Sequence, residues 1–397
     1  MRGLATALLA RSFKGRMAGP ALVQQMTDHA RPRLLTDISV IARHDAQTGI
    51  QRVVRSVFAE LSKRSGSTFD VVPVVATRGK GYRSASVGQL GAKAKVGSAV
   101  RVAPGDKFLA LDLNAHLLPA FRQQISEWRM QGVTTHFVVY DLLPLRQPDW
   151  FNESTSRNFK RWIKVLGEDC DQALCISDHV AADLRSLLGP DMATPRISRI
   201  RLSGDIQDSL PTCGITPEVA HVIRRSITNP MVLMVGTVEP RKGHCIALAA
   251  FETLWAKQGE AAPDLVIVGK PGWRTSDLQA SILRHPQLGR RLHWLQCASD
   301  EGLSHLYENC RGVLAASFGE GFGLPLIEAA AHKRYVLARD IPVFREQNLS
   351  NTIYFDSDDP HDISNKIISL VSIGPSPALE LPRWSECVNE ILYAIDI

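Results

Sequence analysis

The sequence predicts an α/β protein of two parallel-sheet units facing each other across a ligand cleft. Three observations predict it. Short β-rich runs alternate with helical patterns along the chain, as parallel sheets with crossover helices require. The alternation falls into two series, separated by the turn-rich stretch "GDIQDSLPTCGITPEVAHVIRRSITNP". The strand ends of the second series carry glycine and charge, and open α/β sheets place their ligand-binding loops at strand ends. At 397 residues the chain is long enough for two domains, each with its own core.

In chain order, residues 1–32 read as a basic tail. "MRGLATALLARSFKGRM" sets a short apolar patch among Arg2, Arg11, Lys14 and Arg16, without the apolar core and cleavage site of a signal peptide. It reads as a weakly amphipathic segment suited to an anionic membrane surface. The first domain, residues 33–205, opens with "RLLTDISVI" as a strand. "TGIQRVVRSVFAELSKR" follows as a loop entering a long amphipathic helix. "FDVVPVV", "KFLALDL", "THFVVYDL" and "QALCIS" continue the strands. Residues 206–229 lack a strong strand and read as the linker. The second domain, residues 230–375, runs from "PMVLMVGTVEP" through "DLVIVGK", "LHWLQ", "GVLAAS", "RYVLARD" and "TIYF". Residues 376–397 form a C-terminal helix expected to pack back toward the first domain.

The most informative stretch is "SFGEGFGLPLIEAAAH", residues 317–332. Pro325 suits a first helical turn, where its missing N–H costs nothing, and "LIEAAAH" is rich in helix formers. Gly319, Gly321 and Gly323 form the loop feeding that helix, whose unpaired N–H groups attract phosphate. Two carboxylates beside an anion site repel bare phosphate. Glu320 on the loop and Glu328 one turn inside the helix make better sense as acceptors for sugar hydroxyls. A nucleotide-sugar site follows, with one glutamate for each sugar. In "VGTVEPRKGH", Arg241 and Lys242 sit at a strand end beside Gly243 and suit a diphosphate leaving group. "VIVGKPGWR" brings Lys270, Gly272 and Trp273 to another strand end, and "CASDEGL" opens a further helix.

Composition narrows the function classes. With 45% hydrophobic and 22% charged residues the chain is an ordinary globular protein. The net charge of +6 favours acidic partners, either nucleotide phosphates or anionic lipid head groups. Zinc spacing, RNA-binding aromatics and basic blocks are all missing, which argues against nucleic acid. Seven scattered cysteines without a C-x-x-C pair fit a reducing cytoplasm better than disulfides or a metal site. No run of about 18 apolar residues marks a transmembrane helix.

In this order and roughly this spacing, "GTVEPRKG", "VIVGKPGW", "SDEGLSHLYENC" and "SFGEGFGLPLIEAAA" resemble the family-4 retaining glycosyltransferases, which have the GT-B fold. "TDISVIARHDAQTGIQRVVRSV", "VVYDLLPLRQPDWF" and "CISDHVAADL" extend the resemblance over residues 33–395. The variant "GTVEPRK" with "TGIQRVVR" looks most like bacterial mannosyltransferases of O-antigen, capsular or exopolysaccharide assembly. The resemblance implies retaining, metal-independent transfer of a hexose, GDP-mannose favoured, with no cofactor. The acceptor would be lipid-linked or a growing oligosaccharide, and the enzyme cytoplasmic or peripheral at the inner membrane face.

Carried over, Glu328 would hold the donor ribose and Glu320 the transferred sugar. Backbone N–H groups of Gly321, Phe322, Gly323 and Leu324 would bind sugar hydroxyls and the diphosphate. Arg241 and Lys242 match the cationic pair on that diphosphate. Gly49 matches the first-domain loop that closes on phosphate and acceptor. Gly236, Thr237 and Lys270 complete the donor side. Relatives often carry Arg where this chain has Thr237, so Arg241 is expected to supply that charge. They often carry His-Asp or His-Glu where this chain has Tyr140-Asp141. Asp141 keeps a catalytic carboxylate, while neutral Tyr140 cannot mimic a protonated histidine. Lys333 and Tyr335 replace a usual glycine and proline, a local packing change. His44, His116 and His136 read as structural. Other readings are a GT-B sugar-nucleotide epimerase, a non-catalytic nucleotide-sugar-binding module, and a transferase using a soluble acceptor.

Overall fold

The computed structural model describes residues 31–86, 94–189, 195–206 and 214–397. The basic tail lies outside the described residues apart from its last two positions.

The first unit is an eight-stranded sheet. Its strands are β1 (Arg33–Asp37), β2 (Asp70–Thr77), β3 (Gly81–Ser86), β4 (Lys95–Ala99), β5 (Lys107–Ala110), β6 (Thr134–Val139), β7 (Gln172–Cys175) and β8 (Arg196–Arg199). They lie in the order β4-β3-β2-β1-β5-β6-β7-β8. All neighbours from β2 to β8 are parallel, and β3 and β4 add an antiparallel edge. The second unit is a six-stranded parallel sheet of β9 (Met231–Val235), β10 (Asp264–Val268), β11 (Leu292–Leu295), β12 (Gly312–Ala315), β13 (Val336–Arg339) and β14 (Thr352–Phe355). Its order is β11-β10-β9-β12-β13-β14. Strand order reverses at β1 and at β9, and crevices at such reversals are where α/β sheets bind ligands.

Helices flank both sheets. In the first unit they are α1 (Gly49–Arg64), α2 (Arg122–Met130), α3 (Leu143–Arg146), α4 (Glu153–Asp169) and α5 (Asp178–Leu188). The second holds α6 (Pro217–Ser226), α7 (His244–Gln258), α8 (Ser276–Arg284), α9 (Asp300–Asn309), α10 (Leu324–Ala331), α11 (Pro342–Glu346) and α12 (Pro360–Ser372). α13 (Trp384–Ala394) closes the chain. α1 starts where its sequence dictates: Thr48 and Gln51 form a reciprocal capping box. α13 buries Trp384, Cys387, Val388 and Ile391 in the first unit's core. Arg64 donates to Asn389 (2.8 Å), and the Trp384 indole donates to the Asp205 carbonyl (2.9 Å).

Four features differ from the sequence reading. "RLLTDISVI" is a strand only to Asp37, because the Asp37 carboxylate accepts from the Ser39 N–H (2.9 Å) and turns the chain. β3, β4 and β8 are additional strands. They are short elements at the sheet's edges (β4, β8) or next to one (β3), rich in Ser, Gly and Arg, and β4 is exposed throughout, so none needs an apolar run. The segment read as a linker holds α6, capped by Thr216 with Pro217 in its first turn. Val219 and Val222 of α6 pack with Leu303 and Leu306, so this helix belongs to the second unit's core.

Candidate active site

The loop after β9 needs two glycines. Gly236 has φ 146°, and a Cβ there would lie 3.2–3.4 Å from the Lys242 side-chain end, so the missing side chain makes room for that lysine. Gly243 has φ 74°, and its Cβ would stand 2.3 Å from the Ala316 carbonyl oxygen. This approach, with Phe318 N–H donating to Arg241 O (2.7 Å), ties the cationic loop to the loop entering α10.

The joined loops centre on Glu320, which is 8% exposed. Its Oε2 accepts from Arg241 Nη1 (2.7 Å), and its Oε1 from Lys242 Nζ (2.6 Å) and Ser317 Oγ (2.7 Å). Burial alone would raise its pKa, but Lys242 and Arg241 outweigh burial and hold it down to about 2. Arg241 also donates to Gly319 O (3.0 Å) and pairs with Glu239 (2.8 Å). Burial pushes the pKa of Glu239 up against the opposing pull of Arg241 and Lys242. The same holds for Asp141, with Arg241 opposing and Glu320 reinforcing. Three carboxyl groups thus surround two cations. His244 is driven down to about 3 by burial, with Lys242 adding repulsion, so its ring is neutral.

Glu328, 2% exposed on α10, forms a second centre. Its Oε2 accepts from the Tyr307 hydroxyl (2.7 Å). Its Oε1 accepts from Arg52 Nη1, which α1 supplies from the other unit. Arg52 also reaches Asp300 through Nε (3.1 Å) and Nη2 (3.0 Å). Asp300 receives Arg55 (3.1 Å), and Arg55 in turn holds Asp45 (2.6 Å). His332 stacks on Tyr307 with ring centroids 5.1 Å apart and exchanges a hydrogen bond with Ser304 (2.9 Å).

Both centres border one cavity of about 310 Å³. The residues assigned catalytic or donor-binding roles from the sequence all line it: Gly49, Asp141, Gly236, Thr237, Arg241, Lys242, Lys270, Glu320, Gly321, Phe322, Gly323, Leu324 and Glu328. Gly243, Gly272 and Gly319 do not. Gly321 meets the first unit: its carbonyl accepts from Ser177 Oγ (2.7 Å). Phe322 is buried in the first unit's core. Trp273 Nε1 donates to Trp150 O (2.8 Å), and Arg274 to Phe151 O (3.0 Å), closing another side. The Tyr140 side chain does not serve the site; its hydroxyl donates to Leu111 O (2.7 Å) in the core. His136 is buried, its pKa pushed down to about 3, and bonds Thr134 (2.9 Å).

Sequence reasoning missed Arg52, Asp300, Tyr307 and Glu239. For the first, the distinguishing feature is burial, which only the structure shows. Gln51, Arg52, Arg55 and Ser56 are buried polar residues on α1, spaced so that Arg52, Arg55 and Ser56 share a face that a solvated helix would leave open. Among the described residues, no group of three His, Cys, Asp or Glu side chains is arranged to hold a metal ion. Nor is any helix among them long and apolar enough to cross a membrane. The six described cysteines are free thiols.

Residues 220–379 match the family described as Glycosyl transferases group 1. Over 96% of its length the chain is 39% identical to the serotype-specific mannosyltransferase WbdA of Escherichia coli, and covers 45% of it. The chain spans about half the length of the curated relatives of this name that it matches. Sucrose-phosphate synthase from Thermosynechococcus elongatus shares the fold with a TM-score of 0.58 at 14% identity, covering 92% of this chain and 94% of that one. HepE of Anabaena, solved in complex with UDP and glucose, gives 0.56 at 15% identity, covering 85% and 89%. The architecture is GT-B: two Rossmann-like domains across a cleft.

Proposed function

From the match of residues 220–379 to the group 1 glycosyl transferases, we propose that the chain moves a hexose from a nucleotide diphosphate donor to a glycan acceptor. The donor in this reading is GDP-mannose, and the product an O-antigen, capsular or exopolysaccharide chain. Support for mannose comes from the 39% identity to a serotype-specific mannosyltransferase. The structural observation that carries the reading is Glu320, an ionised carboxylate clamped by two cations on the wall of the cavity that Glu328 also borders.

In the proposed reaction the donor diphosphate lies against Arg241, Lys242 and Lys270. Arg241 and Lys242 already hold Glu320. An ammonium has three donors and a guanidinium five, so each can keep that carboxylate and take a phosphate oxygen as well. Lys270 lines the cavity without an acidic partner among the described residues. The bond from the anomeric carbon to the phosphate oxygen breaks while the acceptor oxygen bonds to the same face of that carbon. The acceptor proton passes to the departing phosphate oxygen, and configuration is retained. The cations stabilise the leaving diphosphate, and Glu320 stabilises the positive charge developing on the sugar. Glu328 holds the donor ribose. The transfer needs no metal ion in this reading.

The acceptor is a lipid-linked or growing glycan met at the inner face of the cytoplasmic membrane. α4 supports this beside the basic tail. Arg157, Lys160, Arg161 and Lys164 are exposed at helical spacing on one face, and none has an ion-pair partner among the described residues.

A panel of nucleotide sugars screened for thermal stabilisation tests the reading, because a ligand bound only by the native state raises the melting point. GDP-mannose is expected to give the largest shift, and its turnover to survive excess EDTA. A larger shift with a UDP-sugar would overturn the donor. Turnover lost to chelator and restored by magnesium or manganese would overturn the metal-independent mechanism.

A further inference from the structure

Glu328 sits on the second domain, yet half of what fixes its carboxylate comes from the first. Oε2 accepts from Tyr307 of the same domain, and Oε1 from Arg52 on α1. Arg52 cannot swing freely, because Nε and Nη2 are both engaged by Asp300. Asp300 is itself gripped by Arg55, and Arg55 by Asp45. The result is a chain of alternating charges, Asp45–Arg55–Asp300–Arg52–Glu328, that crosses the domain boundary and ends at the cavity. Arg52 and Glu328 are both buried, at 8% and 2% exposure. A buried carboxylate deprived of its cation is strongly disfavoured, so the pair locks side chains that would otherwise move.

The lone pairs show what the lock leaves available. A carboxylate accepts about four hydrogen bonds, two on each oxygen. Tyr307 takes one on Oε2 and Arg52 one on Oε1, which leaves acceptor capacity on each oxygen. Two adjacent hydroxyls on neighbouring ring carbons match that pair of acceptors. Without Arg52 the carboxylate could rotate about its last bond, and the two sites would no longer be set for a diol.

We propose that Arg52 is a positioning residue which the first domain contributes to the donor site. It sets Glu328 for the vicinal diol of a nucleotide ribose and thereby makes ribose recognition depend on the two domains being closed. This rests on the nucleotide-sugar reading given above. Arg52 does not touch the reacting atoms; it acts through Glu328. The first domain is therefore part of the donor's specificity and not only the acceptor's platform.

The test compares GDP with 2′-deoxy-GDP by calorimetry on the full chain and on Arg52→Gln. The wild type is expected to bind GDP about 10- to 100-fold more tightly than the deoxy analogue, the size expected for a hydrogen bond to a charged group. In Arg52→Gln this ratio should fall to within about threefold of one, with Arg52→Lys intermediate. A residue that merely stapled the fold would weaken both nucleotides together, so an unchanged ratio in Arg52→Gln overturns the proposal. Should Arg52→Gln fail to fold by circular dichroism, Asp300→Asn loosens the same fork from its other side. It should shrink the ratio in the same direction, and an unchanged ratio there also overturns the proposal. Should the wild type bind no nucleotide at all, the transferase reading falls. Small-angle scattering of the ligand-free proteins then decides the domain link: a larger radius of gyration for Arg52→Gln supports it, and an unchanged one overturns it.

Discussion

Gly321 of the second domain lies so close to Tyr140 of the first that a Cβ on the glycine would stand 2.0 Å from the tyrosine carbonyl oxygen. No rotation relieves a clash with backbone. The glycine is therefore a condition for closure of the cleft beside Glu320.

Gly321→Ala should push the domains apart and pull on the neighbouring Phe322, which is buried in the first unit's core. A displacement of about 1 Å between catalytic groups costs on the order of 100-fold in rate. Transfer activity is expected to fall by about that factor, with a lowered melting temperature. A fully active Gly321→Ala enzyme would show that catalysis does not need this closed contact.

The two glutamates should separate kinetically. Glu328, proposed to hold the ribose in ground and transition states alike, predicts that Glu328→Gln raises donor KM with kcat little changed. Glu320, proposed to act where charge develops, predicts that Glu320→Gln lowers kcat with donor binding little changed. Either loss should be about 10- to 150-fold, for a charged hydrogen bond of roughly 1.5–3 kcal/mol. Calorimetric donor affinities with single-turnover rates check both, and the reverse pattern would exchange the roles.

Stability should respond to pH through a group outside the cleft. Asp112 accepts from the Val40 (2.8 Å) and Ile41 (2.7 Å) N–H groups in the first domain. Burial raises its pKa from 3.8 to about 7, and neighbouring Asp37 adds to the rise. Because the folded value lies above the unfolded one, the protonated carboxyl stabilises the fold most below pH 3.8. That contribution is lost as pH rises through about 7. Asp112→Asn mimics the neutral form and keeps one acceptor oxygen. Its melting temperature should exceed wild type at pH 8, by about 2–4 °C for each kcal/mol recovered, and match it near pH 4. Equal differences at both values would rule out titration of Asp112 as the cause.

Membrane association should be electrostatic. Replacing Arg157, Lys160, Arg161 and Lys164 together by glutamate is expected to reduce co-sedimentation with anionic vesicles several-fold while sparing GDP-mannose binding. Wild-type binding should weaken as salt rises, since surface charges are screened over about 8–10 Å at physiological ionic strength. Salt-independent binding, or binding unchanged in the variant, would assign the membrane contact to other parts of the chain.

The sequence by itself determined most of the parallel strands and the helix after the glycine loop, and brought Arg241, Lys242, Glu320 and Glu328 forward as candidates. Each of those signals is local. A buried strand needs an apolar run, a helix start favours Pro325, and a strand end facing a ligand carries glycine or charge within a few residues. Even the Gly236–Lys242 fit closes within one loop. The edge strands β4 and β8 escaped because pairing on one side demands little of their side chains, and β3 because it is a short, mostly part-buried strand beside that edge. Only the tertiary structure decided how the local pieces meet. Arg52 and Glu328 are 276 positions apart, and nothing near Arg52 distinguishes it from a solvated arginine on an amphipathic helix. Tyr140 likewise had to be placed before its hydroxyl could be assigned to the core and its carbonyl to Gly321. Such partners are fixed by how the two sheets meet, and each side chain's role is set by what the other domain brings to it.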